Sequence, residues 1–136
     1  MLTITKFEDI EAWKTARELT RLIYTLTDQG RFTKEFGLKN QIQRAAVSVI
    51  SNIAEGFESR TQAQFLKYLG RAKASAGEVR CQLYVAADLK YTSQEQFEKV
   101  LDLADKSSRQ LARFMDYLET HAQTRRVREE SAEYDV

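Results

Sequence analysis

Between Gln41 and Gln82 the chain carries two kinds of stripe at once. Read at about 100° per residue, Leu38, Ile42, Ala45, Val49 and Ile53 form an apolar stripe, and Gln41, Arg44, Ser48, Asn52 and Glu55 run as a polar stripe beside it. Beyond Gly56 the pattern returns. Phe65, Leu69, Ala72, Ala76, Val79 and Leu83 are apolar, with Gln64, Arg71, Ser75, Glu78 and Gln82 alongside. Between Lys39 and Glu55 the only charged residue is Arg44, whereas an ordinary solvated helix face carries more charge. This predicts a helix buried on more than one side, with its polar groups paired rather than wet.

The same periodicity runs through the rest of the chain and predicts four helices. The first spans about Asp9, an expected N-cap with Glu8 and Glu11 near the positive end of the dipole, to about Thr27. Its seam is Ala12, Ala16, Leu19, Ile23 and Leu26, and Trp13 and Tyr24 share a second face. Asp28-Gln29-Gly30 ends it, and a loop to Gly37 follows. The second helix covers about Leu38 to Glu55, with Gly56 placed as a C-terminal glycine cap. Ser59 and Thr61 each precede a Gln by three residues, so either can cap the third helix, which runs to about Lys90. Ser93 with Gln96 starts the fourth, whose seam is Phe97, Leu101, Ala104, Ser108, Leu111, Met115 and Leu118. Short connections between amphipathic helices make neighbours antiparallel. The expected fold is all-α, an up-down-up-down four-helix bundle over residues 1–122, followed by a charged, disordered tail over 123–136.

Composition narrows this further. One domain is the prior at 136 residues, no proline punctuates the chain, and only five glycines occur, which argues against a β-rich fold. No apolar run approaches the ~20 residues that span a bilayer, and the N-terminus has no signal-peptide core. The single cysteine, Cys81, excludes an intramolecular disulfide framework and fits the reducing cytoplasm. Net charge is +1 but unevenly spread: residues 31–90 hold ten Lys/Arg against five Asp/Glu. A basic middle pair of helices is compatible with a phosphate-facing surface. Its cations are Lys39, Lys67, Arg71, Lys73 and Arg80, the candidate nucleic-acid-binding set. Lys73 and Arg80 lie seven apart on one face, with Lys67 and Arg71 on others, so a solvated helix with ordinary lysines explains them equally well.

No catalytic, cofactor or metal chemistry emerges. Glu55 and Asn52 lie one turn apart but fall short of a metal shell, and hydrogen bonds to the 56–61 connection are their expected role. His121, the only histidine, lacks ligands at metal spacing, and Cys81 has no histidine to activate it. A hairpin turning near residues 57–60 sets Arg44 opposite Ser75 or Glu78, and Gln41 opposite Glu78. The expectation is an Arg44–Glu78 charge pair, within the protomer or between subunits. It would sit in a structural polar network of Gln41, Ser48, Asn52, Glu55, Ser75 and Gln82. Trp13 with Tyr24, and Leu66 with Tyr84 beside Gly70 and Gly77, lie outside the main seams, which suggests that another subunit covers them.

The run from Gln41 to Gly56, ending Asn-Ile-Ala-Glu-Gly, resembles the signature of a bacterial four-helix-bundle family. That family was first described as proteins encoded in intervening sequences of large-subunit ribosomal RNA genes, and is often labelled ribosomal-like. Arg60, Phe65, Leu69, Ala72, Ser75, Glu78, Gln82 and Leu83 are similar to its second half, and Trp13 and Ala16 fit its first helix. The chain departs from it at Ala74-Ser75, where the family usually has Gly-Ser, and at Glu58-Ser59, where it has another glycine. The resemblance implies a homopentameric ring of four-helix protomers with no established enzyme activity. A related accessory protein of diversity-generating retroelements, similar in fold, binds a reverse transcriptase and nucleic acid. Function is thus expected to be that of a homo-oligomeric helical scaffold associating with RNA or a ribonucleoprotein. The alternative is a protein-binding adaptor that uses exposed aromatic patches, and no membrane is implied.

Overall fold

The computed structural model describes residues 4–121, so the tail expected over 123–136 lies outside the described residues. Four helices follow in order: α1 (Glu11–Thr27), α2 (Phe36–Glu58), α3 (Gln62–Asp88) and α4 (Gln94–Thr120). Each packs against the next, and α1 closes against α4. The result is the all-α four-helix bundle that the apolar spacing predicts.

The interior follows the predicted seams. Ala16, Leu19 and Ile23 of α1, Ile42, Val49 and Ile53 of α2, Leu69, Ala72, Ala76, Val79 and Leu83 of α3, and Ala104 and Leu111 of α4 are fully buried. Burying a Leu, Ile or Val contributes about 1.5–3 kcal/mol, so these stripes alone explain why each helix turns one face inward. On α4 the buried strip is broader than the seam predicts. Val100 and Ser107 are buried, whereas Leu101 and Met115 are only half-buried.

Two clusters divide the core along its length. Towards the α2–α3 turn, Phe65 packs its edge on Phe57 and Phe114, with ring centroids 6.1 and 5.6 Å away. Towards the other end, Phe32 is fully buried and lies against Tyr91 at 5.5 Å. Phe32 belongs to a 3-10 turn, Gly30–Lys34, which fills the stretch expected to be a loop. That turn is held to the α3–α4 connection. Arg31 donates from Nη2 to the carbonyl of Leu89 at 3.0 Å and lies over the Tyr91 ring, while the Tyr91 hydroxyl donates to Glu35.

Helix ends follow the predicted chemistry at two starts and depart from it elsewhere. Thr61, not Ser59, caps α3 by accepting from the Gln64 amide, and Ser93 and Gln96 form the reciprocal capping box of α4. Asp9 is not the cap of α1. It lies in a 3-10 turn, Phe7–Asp9, and the N-cap is Ile10, which has no side chain to bond. Nor is Gly56 a cap: α2 continues through it to Glu58 without a left-handed residue. A Cβ at Gly56 would stand 2.8 Å from Tyr68 Cβ and 3.0 Å from Phe65 Cδ1, so α3 crosses this point at a distance only glycine allows. Helix α3 ends at Asp88, and Lys90, with φ of 60°, supplies the left-handed turn into α4.

Candidate functional site

The middle hairpin of α2 and α3 holds most of the residues singled out above. Across it, Ser48 Oγ and Ser75 Oγ share a hydrogen bond at 2.8 Å, and Asn52 Nδ2 donates to Ser48 Oγ and to the Ser48 carbonyl. One turn towards the open end of the hairpin, Gln82 Nε2 donates to Gln41 Oε1 at 3.4 Å. The small hydroxyl pair lets the two helices approach closely, and Asn52 satisfies what the serines leave over. Five of the eight residues assigned to the polar network thus come together.

The other three do not. Arg44, Glu55 and Glu78 are exposed, and no hydrogen bond or ion pair joins Arg44 to Glu78 among the described residues. Gln41 lies opposite Gln82 rather than Glu78 because the pairing runs about one turn further along α3 than a tight turn at 57–60 gives. Helix α2 extends to Glu58 before it turns, and those extra residues shift the register. In this register Arg44 still stands near Glu78 in height, but it lines a cleft against α1 instead, so the contact across the hairpin is the uncharged serine pair with Asn52. Glu55 makes no bond to the 56–61 connection among the described residues, and Asn52 points back along its own helix. The expectation that the polar stripe of α2 is paired rather than wet holds for Gln41, Ser48 and Asn52, although Gln41 is also exposed, and fails for Arg44 and Glu55.

The five cations are dispersed over the surface. Lys67 and Arg71 lie one turn apart on the edge of α3 that continues to Ser75, hence towards α2, and the Arg71 guanidinium lies over the Tyr68 ring at 5.3 Å. Lys73 and Arg80 flank the α4 side. Arg80 faces Asp105 at 3.9 Å, and that carboxylate also pairs with Arg109 Nε at 3.2 Å, so it offsets Arg80 only in part. Lys39 is half-buried in the first turns of α2, at the far end of the hairpin. From Ser59 to Gly77, however, the chain contains Arg60, Lys67, Arg71 and Lys73 and no carboxylate. That half of α3 keeps a net positive field.

The aromatic patches separate as well. Trp13 is half-buried against Phe7, with centroids 5.3 Å apart, and Leu66 is half-buried on the core. Tyr24 and Tyr84 remain 46% and 53% exposed. His121 is exposed and stacks on Tyr117, and Cys81 is an exposed free thiol. No group of His, Cys, Asp and Glu among the described residues could hold a metal ion. No described helix is long and apolar enough to cross a membrane.

Two shallow surface features join residues that pattern reading missed with Tyr24 and Arg44, which it had placed elsewhere. Between α1 and α4, Leu22 and Leu103 floor a groove rimmed by Glu18, Lys99, Asp102 and Lys106. The neighbouring Arg21 guanidinium hydrogen-bonds Glu18 and holds its carboxyl below the usual glutamate range. Between α1 and α2, Tyr24, Asn40, Gln43, Arg44 and Val47 line a second cleft. Their spacing along α2, three then one then three, is the signal that could have grouped them.

Over residues 8–113 the chain matches the model of the family described as 23S rRNA-intervening sequence protein. The chain belongs to this family. No curated protein matches it. Among solved structures, the chain is similar to a protein of unknown function from the S23 ribosomal protein family of Bacteroides thetaiotaomicron VPI-5482. The two are 23% identical, with a TM-score of 0.72 over 77% of this chain and 95% of that one. At that identity the likeness establishes the four-helix fold. The family description indicates no catalytic activity.

Proposed function

We propose that this member of the 23S rRNA-intervening sequence protein family is a non-catalytic, cytoplasmic helical scaffold that assembles with copies of itself and associates with RNA. The observation that carries the RNA half is the carboxylate-free stretch from Ser59 to Gly77. There Lys67 and Lys73 are exposed on a rigid helix and Arg71 rests on the Tyr68 ring. Cations spread over a carboxylate-free helix segment attract phosphates without reading sequence, and the attraction falls as salt rises. Self-assembly is supported by the large apolar side chains left in water at one end of the bundle, Tyr84, Val85, Leu89 and Phe36. Monomers rarely leave such groups uncovered together.

Fluorescence anisotropy with a labelled structured RNA across a salt series tests this reading. Binding that weakens steeply with salt, and is reduced by Lys67→Gln and Arg71→Gln together, is the expected result. Absence of binding at low salt would overturn it. The adaptor alternative is favoured by one observation, the exposure of Tyr84. It would gain if Tyr84→Ala left the assembly intact and a partner protein were lost.

A further inference from the structure

The cleft between α1 and α2 is lined by an aromatic ring, two amides and a guanidinium. Its α2 wall is one face, made by Asn40, Gln43, Arg44 and Val47 over two turns, and its α1 wall is the ring of Tyr24. No carboxylate is among the lining residues, in a chain with twenty. Arg44 is exposed and has no hydrogen bond or ion pair among the described residues. Asn40 is exposed as well, and its side-chain amide makes no hydrogen bond among the described residues. Gln43 donates from Nε2 to Thr27 Oγ1 at 2.9 Å, which fixes the amide and leaves its oxygen as a free acceptor. Thr27 in turn donates to the Ile23 carbonyl at 2.8 Å, so Gln43 is oriented by a buried group. The cleft is shallow and open, about 440 Å³, so a ligand would lie against its walls rather than be enclosed.

Each group matches one part of a nucleotide. An exposed aromatic face stacks a base of any identity. Amides bear adjacent donor and acceptor atoms, the pattern that meets the edge of an unpaired base. A guanidinium with no carboxylate partner suits a phosphate. A base inside a duplex offers neither its face nor its pairing edge, so the matching ligand is single-stranded. We infer that this cleft binds one nucleotide of single-stranded RNA, with its base on Tyr24 and the Asn40 and Gln43 amides and its phosphate on Arg44. The inference rests on the RNA reading above but adds a site on the α1 side of α2, apart from the basic half of α3. A second copy of the chain is the competing occupant. The free guanidinium and the two amides favour RNA, because an apolar subunit contact would leave all three unpaired.

The test is anisotropy of a labelled twelve-nucleotide adenosine RNA, and of a duplex of equal length, against the full chain in a salt series. Sedimentation of each variant runs in parallel. The single strand should bind more tightly than the duplex. Tyr24→Ala should weaken single-strand binding about tenfold or more, as expected for loss of one base stack, and Tyr24→Phe should restore it. Arg44→Gln should weaken binding and lower the salt slope by about one, whereas Lys99→Gln on α4, of equal charge change, should not. Circular dichroism confirms that these surface variants keep their helices. Wild-type binding with unaltered affinity in both Tyr24→Ala and Arg44→Gln would overturn the site and leave the RNA reading standing. Loss of assembly in Tyr24→Ala with RNA affinity intact would assign the cleft to a second copy instead. No binding of either RNA by the wild type at low salt would remove both.

Discussion

Replacing Gly56 by alanine separates two roles that glycine plays in this bundle. A helix-interior Gly→Ala change ordinarily stabilises by about 1 kcal/mol. At Gly56 the added methyl would lie 2.8 Å from Tyr68 Cβ, 3.0 Å from Phe65 Cδ1 and 3.3 Å from the Phe65 carbonyl oxygen. Two of these atoms are fixed to the α3 backbone, so relief requires the helices to move apart rather than a side chain to swing. Phe65 cannot yield easily, because it is 1% exposed and held edge-on by Phe57 and Phe114. Overpacking of this kind costs about 1–3 kcal/mol, with moving a whole helix at the upper end. After subtracting the propensity gain, Gly56→Ala should destabilise by roughly 1–2 kcal/mol. At Gly77 a Cβ meets nothing within 4 Å, so Gly77→Ala should stabilise the protomer by about 0.5–1 kcal/mol. Urea unfolding followed by circular dichroism at one fixed protein concentration measures both. A domain of this size shifts by roughly 3–5 °C per kcal/mol, so thermal scans should rank the variants identically. A Gly56→Ala protein as stable as the wild type would refute the close-approach argument.

Three further changes probe how the bundle is held. Arg31→Ala removes the donor to the Leu89 carbonyl and the cation over Tyr91, and should cost about 1 kcal/mol in urea unfolding because the site is exposed. Lys90→Gly relieves a left-handed residue at φ of 60° and should raise stability by about 1 kcal/mol, visible as a higher thermal midpoint. Ser48→Ala strands Ser75 Oγ and frees one bond of Asn52 Nδ2, and should cost about 1–2 kcal/mol. Adding Ser75→Ala should cost less than the two singles together, a coupling read from the double-mutant cycle.

The helices were legible because their signal is redundant. Seams such as Phe65-Leu69-Ala72-Ala76-Val79-Leu83 repeat the same face many times, and Ser93 with Gln96 marks a start by a local rule. What a single residue decided was less legible. A glycine that caps a helix and one that lets another helix approach look alike in sequence, and Gly56 proved to be the second kind. Two further residues of α2 beyond Gly56 moved the hairpin register by about a turn. Ser48 then met Ser75, while Arg44, which lines the α1 side of α2, and Glu78 stayed in solvent. The α1–α2 cleft was hidden for a different reason: Tyr24 and Arg44 come from separate helices, and only their packing brings them to one wall. The basic residues were visible in number but not in arrangement, since the pairing of Arg80 depends on Asp105 of another helix.

Sedimentation velocity of the full chain with a fluorescent structured RNA, at low and high salt, tests the scaffold reading most directly. The account predicts that the protein sediments as several copies of its 15.7 kDa chain. At low salt the RNA should move with that assembly, and at high salt it should be released while the assembly persists. RNA that sediments alone at low salt beside a 15.7 kDa monomer would contradict it.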